Sequence, residues 1–425
     1  MSKQPLDRSV APEVRPFADL VLPGQHVEKL KNGITLHVVN TGSQPISRLV
    51  FAREGGALDV ACPWRMRLMA EAMRENTVRM DGAQIADIVD FNGARIWSSL
   101  HDHFVKLDML ALNSRLHELL PLMHDIMLEA RFTDRALEVV AGKAAANRAI
   151  QLSKVSYVAS NAARKAVVGA RHPAAVIAMP DDFTSSTVAD VEAIYAEMLD
   201  ARTHVFLGGA FDNATVGAVR SFLEAFPAAR AEHMQVMPYE PEPPCRVDVE
   251  MPQSRQAAVS MMLPTISRDN PDYIDLRLAV IALGGYFGSR LMGNIREEKG
   301  LTYGINAALM GSREGAYMEI GAQCDAAYVE QVIDETAKEI NALRSNPPCG
   351  DELERLKRYA WSSLASAADS AFGTLDHYIT QLTVGTPADY FEAQLRAIAG
   401  LTPERISDVA GLYLNPDRLR IATAG

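Results

Sequence analysis

Arg290 and Tyr303 are the residues whose types and spacing first suggest chemistry. They lie in the segment 284–304, which reads GGYFGSRLMGNIREEKGLTYG. Arginine carries a permanent charge and tyrosine a hydroxyl, so both side chains donate hydrogen bonds. Ser289 is placed to cap a helix that begins near Arg290, and Gly300 is placed to end that helix in the left-handed conformation. A strand is predicted directly after Gly300, so Arg290 at the helix start and Tyr303 at the strand start could converge on one surface.

The elements that would position this segment occur in a repeated order. The first half predicts a hairpin across 27–39 with an Asn-Gly turn, then a strand, two helices, a strand pair and further helices. One long helical region is predicted from Thr133 to about Gly169. The second half predicts strands, two helices, a strand pair and helices in the same order, and it ends in a strand at Arg418–Ala422.

Chain length and proline content predict two domains. The 425 residues are too many for one hydrophobic core. The tract 227–245 carries five prolines and few apolar residues, which is typical of a semi-rigid spacer. The predicted organisation is therefore an N-terminal domain at 1–226, a linker at 227–245 and a C-terminal domain at 246–425.

Charge and cysteine usage narrow the class of protein. A net charge of −11 argues against nucleic acid as a partner and favours a soluble protein. No run approaches the roughly 20 apolar residues of a membrane span, and the N-terminus lacks the apolar core of a signal peptide. The expected location is therefore the cytoplasm, without a membrane partner. The cysteines have no metal-like spacing and are expected as free thiols: Cys62, Cys245, Cys324 and Cys349.

The segment 284–304 resembles the arginine–tyrosine motif in the C-terminal domain of the pitrilysin/insulinase-type zinc peptidases. The similar residues are Ser-Arg-Leu, Ile-Arg-Glu and Lys-Gly-Leu-Thr-Tyr, in that order. In length the chain is similar to the short two-domain subgroup that includes mitochondrial processing peptidase. The resemblance implies an α+β fold of two similar domains, each a mainly antiparallel sheet layered with helices, which clasp a central cavity.

The same resemblance implies a role for the two donors. In that family the arginine and the tyrosine bind the substrate backbone and the scissile carbonyl of a peptide held at zinc. Arg290 and Tyr303 stand at the matching positions. The alternative interpretation is an ordinary helix cap followed by a core tyrosine, which would have the same local pattern.

The zinc side of the motif is degenerate. Active members of the family carry H-x-x-E-H on a helix of the first domain, with the glutamate as general base and a glutamate on a later helix as third ligand. The matching helix here reads RLMAEAM at 67–73. If Glu71 stands at the motif glutamate, Leu68 and Ala72 occupy the histidine positions, and neither side chain can bind a metal. The third ligand is also missing, because residues 139–180 contain no aspartate or glutamate.

Two other groups are open to a functional interpretation. His101 and His103 flank Asp102 and could chelate a metal if they share one face of a strand, although a structural or surface role is the preferred alternative. The stretch 139–180 is basic within an acidic protein. It is either a solvated helix face or a surface for acidic peptides or an acidic partner, and its basic residues are Lys143, Arg148, Lys154, Arg164, Lys165 and Arg171.

These observations favour a non-catalytic subunit of a zinc metallopeptidase. A homologous partner subunit with an intact H-x-x-E-H would supply the zinc and the general base. Arg290 would bind a substrate carbonyl, Tyr303 would donate to the oxyanion, and the peptide would add as a strand to a sheet edge. No cofactor is expected on this chain itself. Two alternatives stay open: a zinc-free scaffold or peptide-binding protein, which could be a homodimer, and an autonomous peptidase with an unusual site.

Overall fold

A computed structural model of the chain describes residue 9 and residues 19–228 and 234–425. The stretch 1–8, in which no signal peptide is expected, lies outside the described residues. The elements of the first half are β1 His26–Lys29, β2 Thr35–Asn40, β3 Ile46–Glu54, α1 Pro63–Ala72, α2 Gly82–Phe91, β4 Arg95–Leu100, β5 Phe104–Leu112, α3 Leu116–Leu128, α4 Asp134–Leu152, α5 Val155–Val168, α6 Pro180–Thr184, α7 Val188–Met198, β6 Thr203–Gly209 and α8 Asn213–Glu224.

The second half begins after the proline-rich tract. Two π-helical turns, Ile281–Gly285 and Met292–Glu298, lie between its first helix and its third strand. In the described part of the chain, no helix is both long and apolar enough to cross a membrane. The elements are β7 Cys245–Val249, β8 Ala257–Thr265, α9 Tyr273–Val280, β9 Thr302–Gly311, β10 Ala316–Cys324, α10 Val329–Ser345, α11 Gly350–Ala368, α12 Ala371–Val384, α13 Tyr390–Gly400, α14 Pro403–Tyr413 and β11 Arg420–Ala424.

The two sheets have the same strand order. The first is β1-β2-β6-β3-β5-β4 and the second is β7-β11-β8-β10-β9. Every pairing is antiparallel except β2 with β6 and β7 with β11, which occupy equivalent places. The first sheet therefore equals the second with β1 added at its edge, and the predicted α+β fold of two similar domains is confirmed.

Each sheet packs one face against the helices of its own half and the other face against a helix from the opposite half. Leu375 and Ile379 of α12 pack with Val50 and Phe206 of the first sheet. In the same way, α5 of the first half packs with Met262, Tyr317 and Ala422 of the second sheet. The first sheet ends at Gly209 and the second begins at Cys245, while the packing of α5 and α12 crosses between the halves, so the domain boundaries at 226 and 245 stay a prediction.

Two local predictions for the first half, a hairpin and a long helix, have opposite outcomes. The hairpin across 27–39 is present, and Gly33 in its turn has φ +88°. The single helical region predicted from Thr133 is wrong, because α4 ends at Leu152 and α5 begins at Val155. Lys154 between them has an extended backbone, and this break allows α5 to leave the first half and cover the second sheet.

Two further corrections concern the C-terminal third. The last strand lies two residues later than predicted, at Arg420–Ala424. The sequence pattern predicts two helices after the second strand pair, at Tyr328–Leu343 and Asp351–Ala367, and the structure adds α12, α13 and α14 after them. Of these, α12 matters most for the architecture, since it covers the open face of the first sheet.

Candidate functional site

The helix at the zinc-motif position packs both histidine positions into the core. α1 begins at Pro63, whose fixed φ suits a first helical turn. Leu68 and Ala72 are buried among the apolar side chains of the first half. Glu71 is partly exposed on α1, and its Oε1 accepts a hydrogen bond from Arg67 Nε at 3.0 Å. The two expected ligand positions thus carry core aliphatic side chains, and the glutamate is in a surface ion pair.

The basic stretch on α4, α5 and the loop that follows divides into two groups. The arginines have partners within the chain, which are a carbonyl, an amide and a carboxylate in turn: Arg148 with Ala178, Arg164 with Asn161, and Arg171 with Glu240. The lysines are exposed to solvent: Lys143, Lys154 and Lys165. The lysines are therefore the part of the stretch that is free to face a partner, and this role stays a prediction.

The His101/His103 pair does not form a chelating strand face. Residues 101–103 form the turn between β4 and β5. His103 is buried and both its ring nitrogens are occupied, with Nδ1 2.9 Å from Asp59 Oδ1 and Nε2 in close contact with Glu314 Oε1. Chelation is therefore wrong, because His103 has no free nitrogen. The structural role preferred on the sequence is the one observed for His103.

Asp59, His103 and Glu314 join the two halves, and we call them the interdomain latch. Asp59 Oδ1 also accepts the backbone N–H of Gln235, in the proline-rich tract, at 2.7 Å. Burial disfavours the charged imidazole, but the two carboxylates outweigh it and raise the pKa of His103 to about 9. Burial likewise opposes ionisation of Glu314, yet its hydrogen bonds with His103 and Ser312 lower its pKa overall. His103 is therefore an imidazolium at neutral pH, with Asp59 and Glu314 as the partners of its two ring nitrogens.

Among the described residues, one cluster has potential metal ligands close together. The ligand atoms of His124, Asp125 and Glu129 lie within 4.8 Å of one another. Arg79 already contacts this cluster, at 3.6 Å from Asp125 and 3.1 Å from Glu129. A guanidinium thus supplies the positive charge that a metal would bring.

The segment 284–304 forms the predicted turn, helix and strand, with two corrections. Residues Met292–Glu298 are π-helical instead of α-helical. Ser289 accepts a helical N–H through its carbonyl, but its hydroxyl is buried and has no hydrogen-bond partner, so the predicted side-chain cap is wrong. Gly300 ends the helix as predicted, with φ +63°.

The arginines of this segment differ in their partners. Arg290 forms a bidentate salt bridge with Glu352 of α11, in which Nε lies 2.8 Å from Oε1 and Nη2 lies 3.0 Å from Oε2. Arg296, the arginine of the Ile-Arg-Glu run, lies over the ring of Phe287 at 4.9 Å. It has no hydrogen bond or ion pair to another described residue. The guanidinium free to meet a ligand in this segment is therefore that of Arg296.

Tyr303 stands on a β-bulge at the start of β9. Two residues, Tyr303 and Gly304, oppose the single residue Gln323 of β10. The Thr302 hydroxyl fixes the bulge, since its oxygen lies 2.6 Å from the Gln323 carbonyl and accepts the Gly304 N–H at 3.1 Å. Thr302 is buried, whereas Tyr303 is 89% exposed. The alternative of a core tyrosine is therefore wrong.

Tyr303 lines a cavity of about 520 Å³ between α5 and the second sheet. Alternation along β8 and β10 turns the apolar residues to the helices of this half and leaves small or polar residues on the cavity side. The polar lining residues are Ser156, Ser160, Gln256, Ser260, Asn306, Glu319 and Gln323. Glu319 accepts the Ser160 hydroxyl at 2.7 Å, and the buried Ser260 hydroxyl has no partner. Arg290 is not among the described lining residues, so the structure does not bring it together with Tyr303 there.

Part of the chain matches a known protein family. Residues 185–359 match the family described as Peptidase M16 inactive domain. No curated protein matches the sequence. The matched residues run from the end of α6 to α11 and include the whole segment with Arg290, Arg296 and Tyr303.

Solved structures share the fold over almost the whole chain. A peptidase M16 inactive domain from Pseudomonas fluorescens is 21% identical, with a TM-score of 0.85 over 94% of this chain and 98% of its own. A protease from Helicobacter pylori is 14% identical, with a TM-score of 0.86 over 95% and 100%. The periplasmic protease PqqL from Escherichia coli is 13% identical, with a TM-score of 0.78 over 98% of this chain and 49% of its own.

These findings agree with the residues at the motif positions. The family match includes the arginine–tyrosine segment, the fold has two similar α+β halves, and α1 carries Leu68 and Ala72 where histidines would bind zinc. The chain is therefore similar to the M16 peptidases in fold, residues 185–359 match the family's inactive domain, and α1 lacks the H-x-x-E-H motif.

Proposed function

We propose that this chain is the non-catalytic subunit of a two-chain zinc metallopeptidase. A homologous partner with an intact H-x-x-E-H supplies the zinc and the general base, and this chain supplies part of the peptide-binding surface. The observation that carries the proposal is Tyr303, an 89% exposed tyrosine held by a bulge at a polar cavity. A tyrosine that contributes so little to packing needs another reason for its fixed position.

Tyr303 acts as a hydrogen-bond donor to the oxyanion that forms at the scissile carbonyl. Its hydroxyl is free to turn toward a peptide, because no described residue accepts a hydrogen bond from it. The polar lining of the cavity gives an extended peptide further partners, among them Asn306 and Gln323. Strand β9 lies at the edge of its sheet, so a peptide can also add to it through backbone bonds.

Arg290 is the proposed donor to a substrate carbonyl, and it can act only if it leaves Glu352. Arg290 forms a bidentate salt bridge with Glu352, so binding of the substrate or the partner would have to break this salt bridge. Arg296 offers a competing donor on the same segment, because its guanidinium has no acidic partner among the described residues to give up.

The deciding experiment measures zinc content and peptide hydrolysis of the purified chain alone and mixed with a zinc-motif homologue encoded beside it. Activity is expected in the mixture, with zinc on the partner. Tyr303→Phe should lower the rate of the mixture by about 10²–10³, as loss of one oxyanion donor typically does. Tyr328→Phe is the matched control, because Tyr328 is also exposed but does not line the cavity.

The other outcomes are equally informative. An effect of Tyr303→Phe below about threefold would exclude the oxyanion role, since a lost donor costs far more. Silence of both the chain and the mixture would favour the zinc-free scaffold, a homodimer included. Hydrolysis by the chain alone, with bound zinc, would favour the autonomous peptidase.

We place the complex in the cytoplasm. The support for this location is the state of the four cysteines, each of which is a free thiol in the fold. Thiols that stay free are typical of a reducing compartment. A homologous partner with the same location is expected on the same ground.

A further inference from the structure

Arg53 in β3 is a buried charge without a counter-charge among the described residues. The residue is 6% exposed. Its Nη1 lies 3.5 Å from the Met127 carbonyl, and its Nε has no hydrogen-bond partner in the part of the chain that the structure describes. The neighbouring carboxylate, Glu54, pairs with Arg202 instead. Burial lowers the pKa of Arg53 to about 10, so the guanidinium is still charged at neutral pH. An unpaired charge of this kind is among the costliest groups that a protein can bury.

The Arg53 side chain lines a small cavity between α1, the first sheet and α7. Its volume is about 20 Å³, which is about the space of one solvent-sized sphere. The Tyr195 hydroxyl beside it is already used, since it donates to the Met127 carbonyl and accepts the Ala130 N–H, both at 3.1 Å. Arg53 is therefore the polar group in this cavity that still lacks a partner.

The rest of the lining is apolar and polarisable. It consists of the rings and aliphatic chains of the sheet together with the thioethers Met69, Met73, Met127 and Met198. Thioether sulfurs are soft and adapt to irregular contacts. An oxyanion would need several hydrogen-bond donors and more room than this cavity has, whereas a monoatomic anion can be held by one charge-assisted hydrogen bond from the guanidinium.

We propose that this cavity is a binding site for a single halide ion, chloride under cellular conditions, which neutralises Arg53. A water molecule would satisfy Nε but would leave the charge uncompensated. The site lies on the inner face of α1, the helix that carries Leu68, Glu71 and Ala72. The bound ion therefore holds this helix against β3 and β5. The proposal is independent of the peptidase-subunit function.

The test is the dependence of thermal stability on halide at constant ionic strength. Sodium chloride replaces sodium gluconate from about 1 to about 100 mM, and the melting temperature is expected to rise by a few degrees because the ion binds the folded state. Bromide should act like chloride, and sulfate should not. Diffraction from crystals soaked in bromide should give an anomalous peak within hydrogen-bonding distance of Arg53.

Two variants separate this site from general salt effects. Arg53→Met should lose the halide dependence, because it replaces the buried cation with an apolar side chain of similar length. Arg65→Met is the matched control, since Arg65 pairs with Asp190 at 2.9 Å and should keep the dependence unchanged. A wild-type melting temperature that does not respond to halide would overturn the proposal. A response that persists in Arg53→Met, or a crystal without bromide at Arg53, would do the same.

Discussion

The face of α1 and the cavity over β8–β10 are the two regions to which the family resemblance assigns zinc binding and peptide binding, and they differ completely. The α1 positions Leu68 and Ala72 are closed, apolar and part of the core. The cavity is open and polar, and Tyr303 on it is 89% exposed. On α1, the residues at the metal-ligand positions pack in the core. At the cavity, a β-bulge holds the Tyr303 side chain, which makes few packing contacts. The comparison teaches that only the second region keeps a geometry that packing does not explain.

The largest expected effect is on stability at the first region. Leu68→Ala should lower the free energy of unfolding by about 2–5 kcal/mol, because it removes a fully buried side chain and leaves a cavity. Urea denaturation followed by circular dichroism measures the change. Tyr303→Phe is the matched variant in the second region and should change the same quantity by less than about 0.5 kcal/mol. Equal losses in the two variants would break the comparison.

Much of this contrast could be predicted from the sequence. Leu68 and Ala72 cannot bind a metal in any fold, and the repeated order of elements fixed where α1 and the segment 284–304 would lie. Gly300 was predictable because a helix end in the left-handed conformation favours glycine. These features depend on residue type and on neighbours within a few positions.

What could not be predicted depends on partners far along the chain. The contact of His103 with Glu314 joins residues 211 positions apart. The same limit applies to Arg290, since Glu352 lies on another helix. The bulge at Tyr303 arises from a shift in the pairing of two strands, and no local pattern indicates such a shift.

The interdomain latch, which joins the two halves of the chain, should have an intermediate effect on stability. The pKa of His103 is raised from 6.5 to about 9, so its stabilisation is full below pH 6.5 and is lost as the pH rises through about 9. The lowered pKa of Glu314 contributes stability above pH 4.5, which is lost as the pH falls through that lowered value. The wild type should therefore lose on the order of 2 kcal/mol relative to His103→Gln between about pH 6.5 and 9.

Urea unfolding at a series of pH values measures this difference. His117→Gln is the control, because His117 is on the surface and its variant should follow the wild type. Parallel curves for the wild type and His103→Gln would mean that the latch carries no pH-dependent stability. The two halves would then be joined by the packing of α5 and α12 alone.

The smallest expected effect sharpens the comparison inside the second region. Arg290→Lys should lower the free energy of unfolding by about 1 kcal/mol, because a lysine cannot make the two parallel bonds to Glu352. Arg296→Lys should change it by less than about 0.5 kcal/mol, since Arg296 contacts one exposed ring. Urea denaturation of both variants measures the change in stability. The KM for peptide, determined in the mixture with the zinc-bearing subunit, measures the change in substrate binding. If Arg290 binds the substrate, its variant raises KM beyond what its stability loss explains. If Arg296→Lys alone raises KM, the free guanidinium is the substrate donor, and the bond from Arg290 to Glu352 is a structural support of the segment that carries Tyr303.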